Sequence, residues 1–75
     1  MDKPFRRPDF KDRHIELRSS DVEVALYVTE TGAQKIIELL KNMLEHPQMG
    51  HVHLEDYQLL TAESRQGTIA LFRAS

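Results

Sequence analysis

The residues of this chain best suited to chemistry lie in the run HVHLED, from His51 to Asp56. Residues two apart on a β-strand project from the same face, so His51 and His53 could present two imidazoles to one metal ion. A zinc site needs three or four ligands, and the others would have to come from Glu55, His14 or a second subunit. Since no HExxH pattern or Cys/His cluster accompanies them, the favoured interpretation is a polar strand face, and metal binding is the alternative.

Catalysis by this run is disfavoured by the same geometry. Glu55 and Asp56 are sequence neighbours, so on a continuous strand they would point to opposite faces, whereas an acid–base pair must face one substrate in a sheltered pocket. The chain has no cysteine, none of its serines lies in a G-x-S-x-G elbow, and its three glycines are scattered. We therefore predict a protein that is not an enzyme and needs no cofactor.

The elements that position these side chains follow the order β-β-α-β-β. Alternation of apolar and polar residues predicts strands at 14–18 and 22–28, joined by a turn at 19–21 as a hairpin. Further strands are predicted at 51–55 and 68–73. One helix can cover only one face of a sheet. The predicted fold class is therefore α+β, a four-stranded, mainly antiparallel sheet with one amphipathic helix on one face.

The predicted helix begins at a capping box, Thr31-Gly32-Ala33-Gln34, and ends at His46-Pro47, because the residue before proline avoids the helical region. Its apolar arc comprises Ala33, Ile36, Ile37, Leu40, Met43 and Leu44, with Leu39 at the edge. In the connection 56–67, Leu59 and Leu60 are predicted to cap the core.

The two faces of the predicted sheet have different roles. The face covered by the helix should hold ten apolar residues: Ile15, Leu17, Val22, Val24, Leu26, Val28, Val52, Leu54, Ile69 and Leu71. The other face is open and is the predicted site of partner binding. There Tyr27 and Phe72 would supply apolar contact, while His51, His53 and Glu55 would supply hydrogen bonds.

Composition limits the domain organisation. Seventy-five residues make one domain at most, near the size at which a single core barely stabilises a fold, so self-association is an option. We divide the chain into a flexible basic arm, residues 1–13, and a single α+β domain, residues 14–75. The arm holds five basic and three acidic side chains, and the domain five basic and nine acidic. Nucleic-acid binding is disfavoured, because a nucleic-acid-binding protein is expected to carry its basic residues on the folded surface and not in a terminal arm.

The expected location is the cytoplasm. No stretch approaches the ~20 apolar residues that span a bilayer, and the N-terminal arm lacks an apolar signal core. The absence of cysteine is compatible with a reducing compartment. We expect no membrane partner.

Residues 14–73 resemble immunity proteins of group thirty-two from bacterial polymorphic-toxin systems. The resemblance rests on the run from His51 to Glu55, on Leu60 and Ser64, on the preceding leucine-rich helix and on the aliphatic end strand. The family more often has aspartate directly after the leucine, where this chain has Glu55. The resemblance implies a non-catalytic protein that neutralises a toxin by occlusion. The alternatives are a small homodimeric structural subunit and the metal-binding protein considered above.

Overall fold

The structure, a computed structural model, describes residues 7–73 as an α+β fold with one α-helix and two small β-sheets. Its elements are β1 (Ile15–Ser19), β2 (Val24–Val28), α1 (Glu30–Glu45), β3 (His51–His53), a 3-10 helix (Leu54–Tyr57) and β4 (Thr68–Ala70). The predicted order β-β-α-β-β is confirmed, with the 3-10 helix added after β3. No helix within this range has the length and apolar character needed to cross a membrane.

β1 and β2 form the predicted antiparallel hairpin. Ile15 lies opposite Val28, and the register continues without a break to the turn. There the backbone N–H of Ser20 donates to the carbonyl of Glu23 at 2.9 Å. Because directly opposite residues of an antiparallel pair share a face, the apolar residues of both strands point to the same side.

The strands form two separate sheets, β1–β2 and β3–β4, so the prediction of one four-stranded sheet is wrong. The second edge of β1 is occupied by the irregular segment 59–65. The N–H of Ile15 donates to the carbonyl of Leu59 at 3.0 Å, and the Ile15 carbonyl accepts from Thr61 at 2.9 Å. The Leu17 carbonyl accepts from Arg65 at 2.9 Å. Because this segment uses the backbone groups of β1, the last two strands pair with each other instead.

α1 begins two residues earlier than predicted. Its N-cap is Thr29, whose side chain accepts a hydrogen bond from the N–H of Gly32 at 3.0 Å, so the capping box at Thr31 is wrong. Thr29 is held in place by His14, whose carbonyl accepts from the Thr29 N–H at 3.0 Å. The hairpin therefore fixes the position of the cap.

The C-terminal end of α1 is confirmed, with His46 as the C-cap directly before Pro47. The guanidinium group of Arg73 donates to the carbonyls of Met43 and Leu44 at 2.9 and 3.0 Å. These carbonyls belong to the last turn and lack partners within the helix. A cation at this end is also favoured by the helix dipole, so Arg73 ties the chain after β4 to α1.

α1 buries only one edge of its predicted apolar arc. Its buried residues are Gly32, Leu39 and Met43. Leu39, predicted at the margin of the arc, is thus in the core. The opposite edge of the arc is exposed, and we call it the helix flank: Ile37 (44% exposed), Leu40 (39%) and Leu44 (58%).

The core lies between α1 and the β3–β4 sheet. It consists of buried Leu39, Met43, Val52 and Leu54 with partly buried Leu17, Met49, Leu60, Ile69 and Leu71 packed against it. Ile15 and Leu59 are also buried. The prediction is confirmed for the apolar residues of β1, β3 and β4 and for the two leucines of the connection. It is wrong for four residues: Val22, Val24, Leu26 and Val28 are exposed.

The described part of the basic arm, residues 7–13, lies against the domain. Pro8 is buried and Phe10 is half-buried. The guanidinium of Arg13 donates to the backbone carbonyl of Gln58. The rest of the arm, residues 1–6, lies outside the described residues.

Candidate functional site

The histidine row, formed by His51, His53 and Glu55, lies along β3 and the start of the 3-10 helix. His51 is opposite Ala70 and His53 is opposite Thr68, and both histidines are exposed. Their rings meet edge to face, with centroids 5.0 Å apart. His53 Nδ1 lies 2.9 Å from the Thr68 hydroxyl oxygen and 3.6 Å from a Glu55 carboxylate oxygen. The side chains of the histidine row therefore contact one another and Thr68.

The described part of the chain contains no set of ligands for a metal ion. Within residues 7–73, no three His, Asp or Glu side chains are grouped to hold an ion. His14, one of the predicted ligands, has its Nδ1 2.9 Å from the Thr29 hydroxyl oxygen. Glu55 accepts a hydrogen bond from the N–H of Gly67 at 3.3 Å. Metal binding by the histidine row would require ligands from a second subunit or from outside this range.

The five residues predicted to bind a partner are distributed over several elements. Tyr27 lies in β2, the two histidines in β3 and Glu55 in the 3-10 helix, while Phe72 follows β4. Tyr27 stacks with Arg18, whose guanidinium carbon is 4.9 Å from the ring centroid. Phe72 is 89% exposed. The prediction that one sheet carries all five is wrong, because β2 and β3 belong to different sheets.

The feature that sequence reasoning missed is an exposed apolar row along β2. Val22, Val24, Leu26 and Val28 are 93%, 74%, 53% and 38% exposed, respectively. We call these residues the β2 apolar row. Val24, Leu26 and Val28 share a face with Ile15, which is fully buried, and Val22 lies in the turn before β2. Exposure rises steadily from Val28 to Val22, and the least exposed end of the row is the one beside the start of α1 and residues 7–10.

In the described part of the chain, β2 also presents an unpaired edge. In an antiparallel pair, the backbone groups of successive residues point alternately toward the partner strand and away from it. The bond from the N–H of Thr29 to His14 shows that the odd-numbered residues of β2 face β1. The N–H and C=O groups of Val24, Leu26 and Val28 therefore point outward. Within residues 7–73, no second strand pairs with this edge.

A buried carboxylate lies on the other face of the hairpin. Glu16 is 3% exposed, accepts a hydrogen bond from the Thr61 hydroxyl at 2.5 Å and forms an ion pair with Arg18. Burial raises the pKa of Glu16, but the hydrogen bonds from Thr61 and Arg18 outweigh it and hold the pKa below its ordinary value. A carboxylate charged at neutral pH suits a structural acceptor, and it ties segment 59–65 to β1.

An open cleft of about 650 Å³ lies between residues 7–13 and the start of α1. Its lining mixes both signs of charge, with Arg7, Lys11 and Arg13 beside Asp9 and Glu30. Since opposite charges lie side by side, the cleft indicates no single ligand class.

Comparisons with known proteins assign no family. No protein-family model, curated protein or solved structure matches the chain significantly.

Proposed function

We propose that this chain is a non-catalytic protein-binding module whose contact surface is the apolar face and open edge of β2. The observation that carries the proposal is the exposure of the β2 apolar row on a strand that pairs, within residues 7–73, only with β1. Contiguous exposed apolar residues on folded proteins tend to be contact surfaces. Edge strands are usually protected by lysine, proline or a bulge, and the β2 sequence VALYV contains neither lysine nor proline.

The geometry of this surface favours strand addition. An extended partner segment would hydrogen-bond to the outward backbone groups of Val24, Leu26 and Val28. Its alternate side chains would then lie beside the β2 apolar row. The expected partner segment is extended, with apolar residues at every second position. The exposed helix flank offers further apolar contact on the same protein.

A toxin protein is the partner class implied by the resemblance to immunity proteins. Neutralisation by occlusion needs a surface and no reacting group, which agrees with a role for an exposed apolar edge. We include a cytoplasmic location in the proposal, with which the absence of cysteine from the chain is compatible.

The histidine row with Phe72 is the second candidate surface, favoured by the exposure of Phe72 (89%). Phe72 would serve as the apolar anchor, and the imidazoles as hydrogen-bonding groups at its side. Tyr27 would belong to neither surface, since its side chain lies on the face of β2 opposite the β2 apolar row.

Site-specific photocrosslinking in the producing cell tests the proposal. A photoreactive residue is placed at Leu26, at Phe72 and, as control, at Lys35 on the polar side of α1. We expect one defined protein adduct from position 26 and none from position 35. An adduct from position 72 alone would support the second candidate, and identical products from all three positions would contradict both.

A further inference from the structure

We infer that β2 pairs antiparallel with β2 of a second copy of this chain, with a twofold axis at Leu26. The inference rests on the proposed function and identifies the strand that is added. The product is a continuous sheet of four strands, in the order β1, β2, second β2, second β1. A homodimer built in this way closes on itself and leaves no open β2 edge.

The direction of the backbone groups limits the possible registers. The outward groups belong to Val24, Leu26 and Val28, so a symmetric pair must oppose even-numbered residues to even-numbered residues. Leu26 is the midpoint of the five-residue strand Val24–Val28. An axis at Leu26 therefore pairs the whole strand and forms about six hydrogen bonds. Moving the axis by one residue either way leaves only three of the five residues of each copy paired.

The side chains are complementary in the same register. On the polar face, Ala25 of each copy lies opposite Tyr27 of the other, so a small side chain faces each large ring. Beyond the strand ends, Glu23 lies opposite Thr29, and no two like charges are opposed. On the apolar face, Leu26 meets its own counterpart and Val24 meets Val28. The apolar rows of the two copies thereby join into one strip.

The absence of cysteine from the chain permits a direct test by disulfide crosslinking. Leu26 is the one β2 position that faces itself in this register. Its two Cα atoms would lie ~5.5 Å apart, within the ~4.4–6.8 Å range of disulfides. The matched control is V24C, whose two copies would be separated by roughly 13 Å along the strands. In a glutathione redox buffer we expect L26C to form about tenfold more covalent dimer than V24C.

A double cysteine variant tests the same register if L26C does not fold. In the double variant V24C/V28C, the thiol at position 24 of each copy faces the thiol at position 28 of the other copy. The double variant should therefore crosslink, while V24C and V28C alone should not. Circular dichroism verifies folding of each variant. Equal crosslinking of L26C and V24C, or no crosslinking of the folded variants, would overturn the inference.

Disulfide crosslinking and photocrosslinking together distinguish a wrong homodimer from a wrong binding surface. If folded L26C stays monomeric while photocrosslinking at position 26 captures a different protein, the homodimer is wrong and the binding surface stands. If position 26 yields neither a dimer nor another adduct, both are wrong.

Discussion

The two sheets in residues 7–73 carry the same alternation of apolar and polar residues, but the apolar residues of β2, unlike those of the β3–β4 sheet, are left exposed. In the β3–β4 sheet, Val52 is 6% exposed and Ile69 packs against the core. In the β1–β2 sheet, Val24 is 74% and Leu26 is 53% exposed. The buried side of α1 lies over the first of these sheets and only over one end of the second. Alternation thus determines which side chains share a face, whereas helix packing determines which face is buried.

The largest expected effect separates the buried edge of α1 from its exposed flank. Met43 is fully buried, so Met43→Ala should cost ~2–5 kcal/mol through lost transfer energy and a cavity. Leu40 is 39% exposed, and Leu40→Ala should cost less than about 1 kcal/mol, although the sequence alone places Leu40 in the core. Urea denaturation measures both. A greater loss from Leu40→Ala would restore the helix orientation predicted from sequence.

The contact between α1 and the hairpin is tested by Gly32→Ala. A Cβ at Gly32 would lie 2.3 Å from the carbonyl oxygen of His14, so the backbone would have to move, at a cost of ~1–3 kcal/mol. Gly50→Ala is the control, because that site is open and should change stability by at most ~1 kcal/mol. Thermal melts report both. A gain in stability from Gly32→Ala, as helix propensity alone predicts, would show that the close approach is absent.

The tie between β1 and segment 59–65 depends on pH. Because the pKa of folded Glu16 is lowered, its charge stabilises the fold fully above about pH 4.5, and that contribution is lost as pH falls through the folded pKa. Thr61→Val should cost ~1–3 kcal/mol at neutral pH and reduce the loss of stability on acidification. Thr31→Val, at an exposed site in the first turn of α1, is the control. An unchanged pH profile for Thr61→Val would contradict the proposed role of Glu16.

The smallest expected effect distinguishes two threonines at the start of α1. Thr29→Ala removes the observed cap and should cost ~1 kcal/mol. Thr31→Ala lies within the helix, where alanine is the better helix former, and should be neutral or slightly stabilising. Chemical denaturation of the two variants compares them. The reverse order would place the cap where the sequence predicted it.

Local signals predicted the elements of this fold, while long-range contacts determined how they assemble. The alternation after His14 and the proline at position 47 were sufficient to place the hairpin and the end of α1. The occupation of the second β1 edge could not be predicted, because segment 59–65 has no strand periodicity. Burial of Glu16 was missed for a related reason, since a charged residue on a strand is expected at the surface unless its partner is known.

The sequence did not predict the exposed β2 apolar row, because it does not show which edge of the apolar arc of α1 is buried. The apolar arc of α1 is wide, and either edge of it could have faced the sheet. Only the packing of Leu39 and Met43 shows which edge is buried, and hence that the β2 apolar row is left exposed.

Amide hydrogen exchange along β2 tests the central claim most directly, because the odd-numbered and even-numbered residues should behave differently. In dilute protein, the amide of Tyr27 is bonded to β1 and should be protected, while the amide of Leu26 points outward and should exchange at least about tenfold faster. At high protein concentration, pairing with a second copy should slow exchange at Val24, Leu26 and Val28 and leave Tyr27 unchanged. Equal protection of Leu26 and Tyr27 in dilute protein would contradict an open β2 edge.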